Sequence, residues 1–166
     1  MQTSRDADSA RGRLSLARAG SNQVWWIDGV VDVKLTASET DGHLGLWYWI
    51  GQRGAASPLH VHHREEEHFL VVEGQIRFFI DGERIDGGPG DRISLPRDIP
   101  HAYLVTSETA KAVGMVTPGG FEAFFTDVGA PVRPGETSGP SPEIAAMSAA
   151  ALRQGVETLG PPPALD

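Results

Sequence analysis

The sequence predicts an all-β fold, a sandwich or a barrel, on three observations. From about residue 22 to 117, eight short apolar stretches with period-two alternation succeed one another: VWWI, VVDVKL, LGLWYWI, HFLVVE, IRFFID, DRISLP, HAYLV and AVGMVT. Gly, Pro and Asp punctuate the gaps between them at the spacing of turns. Helical periodicity is confined to the residues beyond 120.

The whole chain bounds the answer. At 166 residues and 40% hydrophobic it can bury the core of one ordinary domain with some residues left for tails. The formal net charge is −8, and Lys34 and Lys111 are the only lysines, so no basic field exists to attract nucleic acid or an anionic membrane surface. No window approaches the roughly 18 apolar residues of a membrane span, and the Arg-dotted N-terminus lacks the apolar stretch of a secretory signal. A cytoplasmic protein is expected. The absence of cysteine removes disulfides, thiolate catalysis and sulfur-ligated zinc, so any metal must sit on nitrogen and oxygen.

In chain order, residues 1–20 are polar and rich in Ser, Ala and Arg, and are expected to form a flexible arm. Residues 21–118 hold the strands. Residues 119–160 form a helical extension: Phe121, Phe124, Phe125 and Val128 lie at i, i+3, i+4 and i+7, the stripe of a short helix with one buried face. SPEIAAMSAAALRQG reads as a second helix, with Ser141 as N-cap, Pro142 at its first position and Gly155 as the stop. Residues 161–166 are tail.

Turn signals set the faces. Glu73-Gly74 and Asp81-Gly82 each read as a two-residue hairpin loop. A hairpin at 73–74 pairs 71 with 76, 69 with 78 and 67 with 80, which puts Glu67, Phe69, Val71, Ile76, Phe78 and Ile80 on one inward face. Glu67 then needs a cation or a hydrogen-bonded partner to offset its desolvation. The opposite face, with His68, Leu70 and Val72, is also largely apolar and expected to be covered by the N-terminal strands, a C-terminal helix or a second subunit.

His60 and His62 share a face along an extended chain, so two imidazoles and the inward carboxylate of Glu67 can converge on one ion. His101 opens another alternating strand and supplies a third imidazole. This donor set suits one divalent transition metal (Fe, Mn, Co, Ni, Cu or Zn) and not calcium or magnesium, which prefer oxygen shells. His43, His63 and His68 read as solvated or hydrogen-bonded side chains, Glu65 and Glu66 as a solvated acidic turn, and Glu73 as a rim or structural group. Trp47, Trp49, Phe69, Phe78 and Tyr103 are candidates for an aromatic pocket. Parity leaves open whether Trp47 and Trp49 or Leu46 and Tyr48 face inward.

At these residues the chain resembles the cupin superfamily. Its first motif, G(X)5HXH(X)3–4E(X)6G, is matched by Gly54, His60, His62, Glu67 and Gly74. The second, G(X)5PXG(X)2H(X)3N, is matched at Gly90, Pro96 and His101, with Asp98 where the family has Gly and Val105 where it has Asn. The resemblance implies a small antiparallel jelly-roll barrel with one metal inside, commonly dimeric. SPLHVHHREEEHFLVVEG, DRISLPRDIPHAY and the TPGGFEAFF segment look most like single-domain relatives of quercetin dioxygenase. In those relatives the metal-bound Glu is also the base that deprotonates a substrate hydroxyl, the resulting oxyanion binds the metal, and dioxygen cleaves the ring. Carried over, that role falls on Glu67.

Three functional readings are compatible with these residues. The first is a metal-dependent dioxygenase of a hydroxylated aromatic or enolic small molecule, with dioxygen as co-substrate. The second uses the same metal as a Lewis acid in a cyclase, isomerase or hydrolytic enzyme. The third is a non-catalytic small-molecule-binding barrel. A DNA-binding regulator is disfavoured because the N-terminal arm is too short for a helix-turn-helix, and a homodimer is expected from the resemblance.

Overall fold

The computed structural model describes residues 16–166, so most of the expected N-terminal arm lies outside the described residues. Twelve strands run β1 (Gln23–Trp26), β2 (Gly29–Leu35), β3 (Gly45–Gln52), β4 (Leu59–His62), β5 (Glu66–Glu73), β6 (Ile76–Ile80), β7 (Glu83–Gly87), β8 (Arg92–Leu95), β9 (His101–Val105), β10 (Thr109–Thr117), β11 (Ala130–Pro131) and β12 (Val156–Gly160). Helices α1 (Ala123–Val128) and α2 (Ile144–Arg153) come after the main run of strands. The strands form two antiparallel sheets, β11-β1-β2-β3-β10-β5-β8 and β12-β4-β9-β6-β7, which is the all-β jelly-roll architecture with short C-terminal helices.

Alternation decides the core. On β3 the inward positions are Trp47 and Trp49, each 2% exposed, which answers the question parity left open. Gly114 on β10 lies opposite Trp47 in register, and a Cβ there would sit 2.2 Å from the indole, so only glycine lets the ring lie flat across the strand. Trp26, Phe124 and Phe125 meet edge to face at 5.2 and 5.0 Å, and Phe125 packs on Trp47 at 4.9 Å. The Phe stripe thus seats α1 against the sandwich, with Phe121 in the turn just before the helix. Glu122, 1% exposed, accepts backbone N–H groups of Ala37 (2.6 Å) and Gly120 (2.7 Å), which satisfies a carboxyl group that burial would otherwise penalise.

Asp81-Gly82 forms the expected two-residue hairpin, with Ile80 paired to Glu83 and both loop residues at positive φ (49° and 82°). The Glu73-Gly74 turn does something else. β5 and β6 do not pair; they belong to different sheets, and the chain crosses the sandwich there with Gly74 at φ 79°. Phe69 and Phe78 face each other across the core at 5.7 Å. The inward set from Glu67 to Phe78 is buried all the same, because a sheet-crossing arch keeps the period-two faces that a hairpin would.

Two further expectations are corrected. Helix α2 is capped at Glu143, two residues later than read, because the Ser141 hydroxyl instead accepts the Asp28 N–H at 3.3 Å. Gly155 ends that helix as expected, at φ 80°. On the outer face of β5, none of the described strands or helices covers Leu70 and Val72, which are 40% and 45% exposed.

Candidate metal centre

β4 and β9 pair at His60 and His101, and the alternation of β4 returns His62 to the same inward face. β5, from the other sheet, aims Glu67 at them. The donor atoms of His60, His62, Glu67 and His101 all lie within 4.8 Å of one another. With metal–ligand bonds of about 2.1 Å, donors around one ion are separated by roughly 3 to 4.2 Å, so the cage closes on an ion with shifts of about half an ångström.

The protonation pattern points to a cation more directly than the distances do. His60 Nδ1 lies 2.8 Å from the Pro58 carbonyl and His101 Nδ1 2.9 Å from the Ile99 carbonyl. A carbonyl only accepts, so both rings carry a proton on Nδ1; the neutral ring of His60 then presents its Nε2 lone pair inward, and His101 Nε2 faces Glu67 within hydrogen-bond reach. Glu67 Oε2 sits 3.2 Å from His101 Nε2 and 3.9 Å from His62 Nε2. His62 Nε2 has no hydrogen-bond partner among the described residues. Lone pairs facing lone pairs in a buried pocket are favourable only with a proton or metal ion between them.

Electrostatics favour the metal-ready state. Burial first, then the neighbouring His101, hold His60 down to about 3 from 6.5, so its ring is neutral over the ordinary range. Burial alone would raise Glu67, but the His101 contact and the three surrounding imidazoles outweigh it and hold the carboxyl below its usual value.

A small cavity, about 50 Å³, opens beside this cage. Trp47, Trp49, Phe69 and Tyr103 line it, with Trp26, Ser57, Phe121 and Phe125, which the sequence reading did not single out for the pocket. Phe78 lies behind Phe69 at 1% exposure and does not line the cavity; its strand faces β5 deeper in the core. Tyr103 is pushed up by burial and so keeps its phenolic proton. A second cavity of about 60 Å³ shares Ser57, His60 and Phe121 with the first and is roofed by Met147, Ser148 and Ala151 of α2.

The remaining histidines lie off the cage. His63 bridges Asp98 (2.7 Å) and Glu157 (3.2 Å) at the surface, and these carboxylates raise its pKa. His68 Nδ1 meets Ser94 Oγ at 2.9 Å. Asp98 takes the positive φ (63°) that a glycine would favour, which Asp tolerates, and its N–H donates to the His62 carbonyl at 2.9 Å. Glu65 overturns its reading as a solvated turn residue: it is 1% exposed, against His62. Its signal was parity, since 65, 67, 69 and 71 share the inward face.

A cupin domain model matches residues 47–117. Quercetin 2,3-dioxygenase of Bacillus subtilis (strain 168) is 36% identical over 92 residues, which is 55% of this chain and 27% of that enzyme, so the chain spans about a quarter of the curated relative it matches. KdgF from Halomonas sp. has a TM-score of 0.60 at 17% identity, over 67% of this chain and 99% of its own. An RmlC-like cupin from Shewanella frigidimarina NCIMB 400 has a TM-score of 0.55 at 15% identity, over 64% of this chain and 93% of its own. Such low identities speak for the fold alone. With both histidine motifs converging inside two antiparallel sheets, and with these matches, the chain carries a cupin domain over residues 47–117.

Proposed function

We propose that the protein is a metal-dependent dioxygenase of a hydroxylated aromatic or enolic small molecule, with His60, His62, Glu67 and His101 holding one divalent transition metal and Glu67 acting as general base. The observation that carries this reading is the inward cage of lone pairs opening onto an aromatic-walled cavity. The likeness to a quercetin 2,3-dioxygenase supports the substrate class. When bound, such an ion supplies Lewis acidity and, for Fe, Mn, Co, Ni or Cu, a route for electrons between substrate and dioxygen.

The chain's own residues do the rest. A substrate hydroxyl brought against the cage gives its proton to a Glu67 oxygen, the lowered pKa keeping that carboxyl group ionised at neutral pH. Trp47, Trp49 and Phe69 supply flat apolar walls that exclude water and orient a planar ring. Pockets for drug-sized ligands measure about 300 to 1,000 Å³, far more than the cavity here, so a flavonol-sized substrate enters only if Phe121 and α2 move outward and join the two cavities. A homodimer belongs to the same proposal, supported by the uncovered Leu70 and Val72.

The test is oxygen uptake and product analysis on flavonols, hydroxyquinones and small enolic diketones, with protein reconstituted separately with Fe(II), Mn(II), Co(II), Ni(II), Cu(II) and Zn(II). Stoichiometric oxygen consumption with a redox-active ion supports the proposal. Product formed without oxygen, and equally with Zn(II), moves the function to a Lewis-acid cyclase, isomerase or hydrolytic enzyme. Ligand binding without turnover leaves a binding protein.

A further inference from the structure

The three ligand imidazoles are not held alike. His60 and His101 each turn Nδ1 to a backbone carbonyl two residues earlier in the chain, at 2.8 and 2.9 Å. His62 has no such carbonyl: its Nδ1 lacks a hydrogen-bond partner among the described residues. What faces it is Glu65, with Oε2 at 3.6 Å and both side chains 1% exposed. Neither Glu65 oxygen has a hydrogen-bond partner either, and the other charged group near it is Arg64, whose Nε stands 3.9 Å from Oε1.

A buried carboxyl group without a donor costs roughly 1 to 3 kcal/mol, and so does an unpartnered ring N–H. Both penalties fall here on one pair of neighbours, and one hydrogen bond removes both. The pair stands about 0.6 Å beyond bonding distance. A shift of that size is comparable to the movements of about half an ångström by which the donors close on an ion. Outer groups that accept the second ring N–H of a metal-bound histidine fix its tautomer and aim, and strengthen it as a donor.

We propose that Glu65 is the positioning residue of His62, accepting the Nδ1–H so that Nε2 is presented to the ion; this rests on the metal-centre reading above. The three histidines are then oriented by two carbonyls and one carboxyl group. Residues 65 and 67 divide the labour along one face of the chain, Glu67 as direct ligand and Glu65 behind His62. Glu66 between them points out, its side chain 44% exposed and 3.9 Å from Arg97.

The experiment compares wild type with Glu65→Gln and Glu65→Ala, using Co(II) as probe. Affinity is read by chelator competition, apo stability by thermal melts in EDTA, and ring N–H groups as exchangeable hyperfine-shifted proton resonances. Wild type is expected to bind one Co(II) per chain and show three such resonances. Glu65→Gln is expected to bind about 10- to 100-fold more weakly and to shift the His62 resonance alone, with the apo melting temperature unchanged or higher. Affinity within twofold of wild type with all three resonances in place overturns the proposal. A lower apo melting temperature at unchanged affinity also overturns it, since that is a purely structural role. If the variants do not fold, long-range nitrogen–proton correlation on metal-free wild type decides: His62 as the Nδ1–H tautomer supports the assignment, and Nε2–H refutes it. Wild type that takes up no Co(II) overturns the metal centre and the Glu65 role together, whereas normal uptake with unaffected variants overturns Glu65 alone.

Discussion

Glu67→Gln separates ligation from proton transfer, because an amide oxygen still coordinates but takes no proton. In the metal-free protein Glu67 is 4% exposed and 3.2 Å from His101 Nε2. The amide exchanges a charge-assisted hydrogen bond to His101, worth about 1.5 to 3 kcal/mol, for a neutral one worth about 0.5 to 1.5 kcal/mol, so the apo variant should melt somewhat below wild type. The metal-loaded proteins diverge. At free metal about 100-fold above its dissociation constant, wild type gains about 2.7 kcal/mol of stability. Loss of an outer partner weakens metal by up to about 100-fold, a lower bound for a direct ligand. At that weakening the variant gains only about 0.4 kcal/mol under the same conditions. For a chain this long that is a metal-induced rise of roughly 5 to 11 °C for wild type and about 1 to 2 °C for the variant. Scanning fluorimetry across a metal titration reads this, and oxygen uptake is then compared at matched occupancy. Loss of the base should lower turnover by about 100- to 10,000-fold beyond the loss of metal. Turnover that merely tracks metal content would refute Glu67 as the base.

Other expectations rest on the same geometry. His60 is held down to about 3 against 6.5 unfolded, so between those values the unfolded chain takes a proton that the folded one refuses. Apo stability should therefore fall on acidification from pH 6.5 to 5, by at most about 1.4 kcal/mol per unit, and His60→Asn should flatten that slope in urea titrations. His63, raised by Asp98 and Glu157, has the opposite sign: its contribution is present below pH 6.5 and lost as pH rises through its folded value, so His63→Gln should weaken the protein more at pH 5.5 than at pH 8.5. Phe121→Ala should join the two cavities and favour bulkier substrates in kcat/KM, at about 3 to 5 kcal/mol of stability; unchanged selectivity would remove Phe121 from the entry route. Gly114→Ala drives a methyl into the Trp47 indole and should destabilise by about 1 to 3 kcal/mol in denaturant melts, with a changed near-UV tryptophan signal. Leu70→Glu with Val72→Glu should shift the mass by light scattering from dimer to monomer if these outward side chains are a dimer interface.

Legibility in the sequence came from local relations. His60, His62 and Glu67 could be read because strand parity is a property of the chain itself, and the interval from 62 to 67 is short enough for a turn to bring two strands together. Glu65 shared that parity and was passed over, because an acidic run beside arginine has the composition of solvated surface. β7 was missed because Glu83 to Asp86 are exposed and carry no clear apolar alternation; it is a strand because the Asp81-Gly82 turn folds it back onto β6. β12 was missed for a similar reason, and its pairing with β4 buries only Val156 and leaves Glu157 to Leu159 exposed.

By itself the sequence determined that Glu67, Phe69, Val71, Ile76 and Phe78 share a face, where the turns fall and which four side chains are candidate donors, since each depends on neighbours a few residues apart. Tertiary structure alone decided that Glu73-Gly74 crosses between sheets instead of closing a hairpin, because both arrangements satisfy the same alternation and differ only in distant hydrogen-bond partners. It also decided that Glu65 stands behind His62 and that α2 roofs the cavity beside His60. Those outcomes depend on how two sheets and a helix settle against one another, a balance of burial over the whole core that no short window of residues contains.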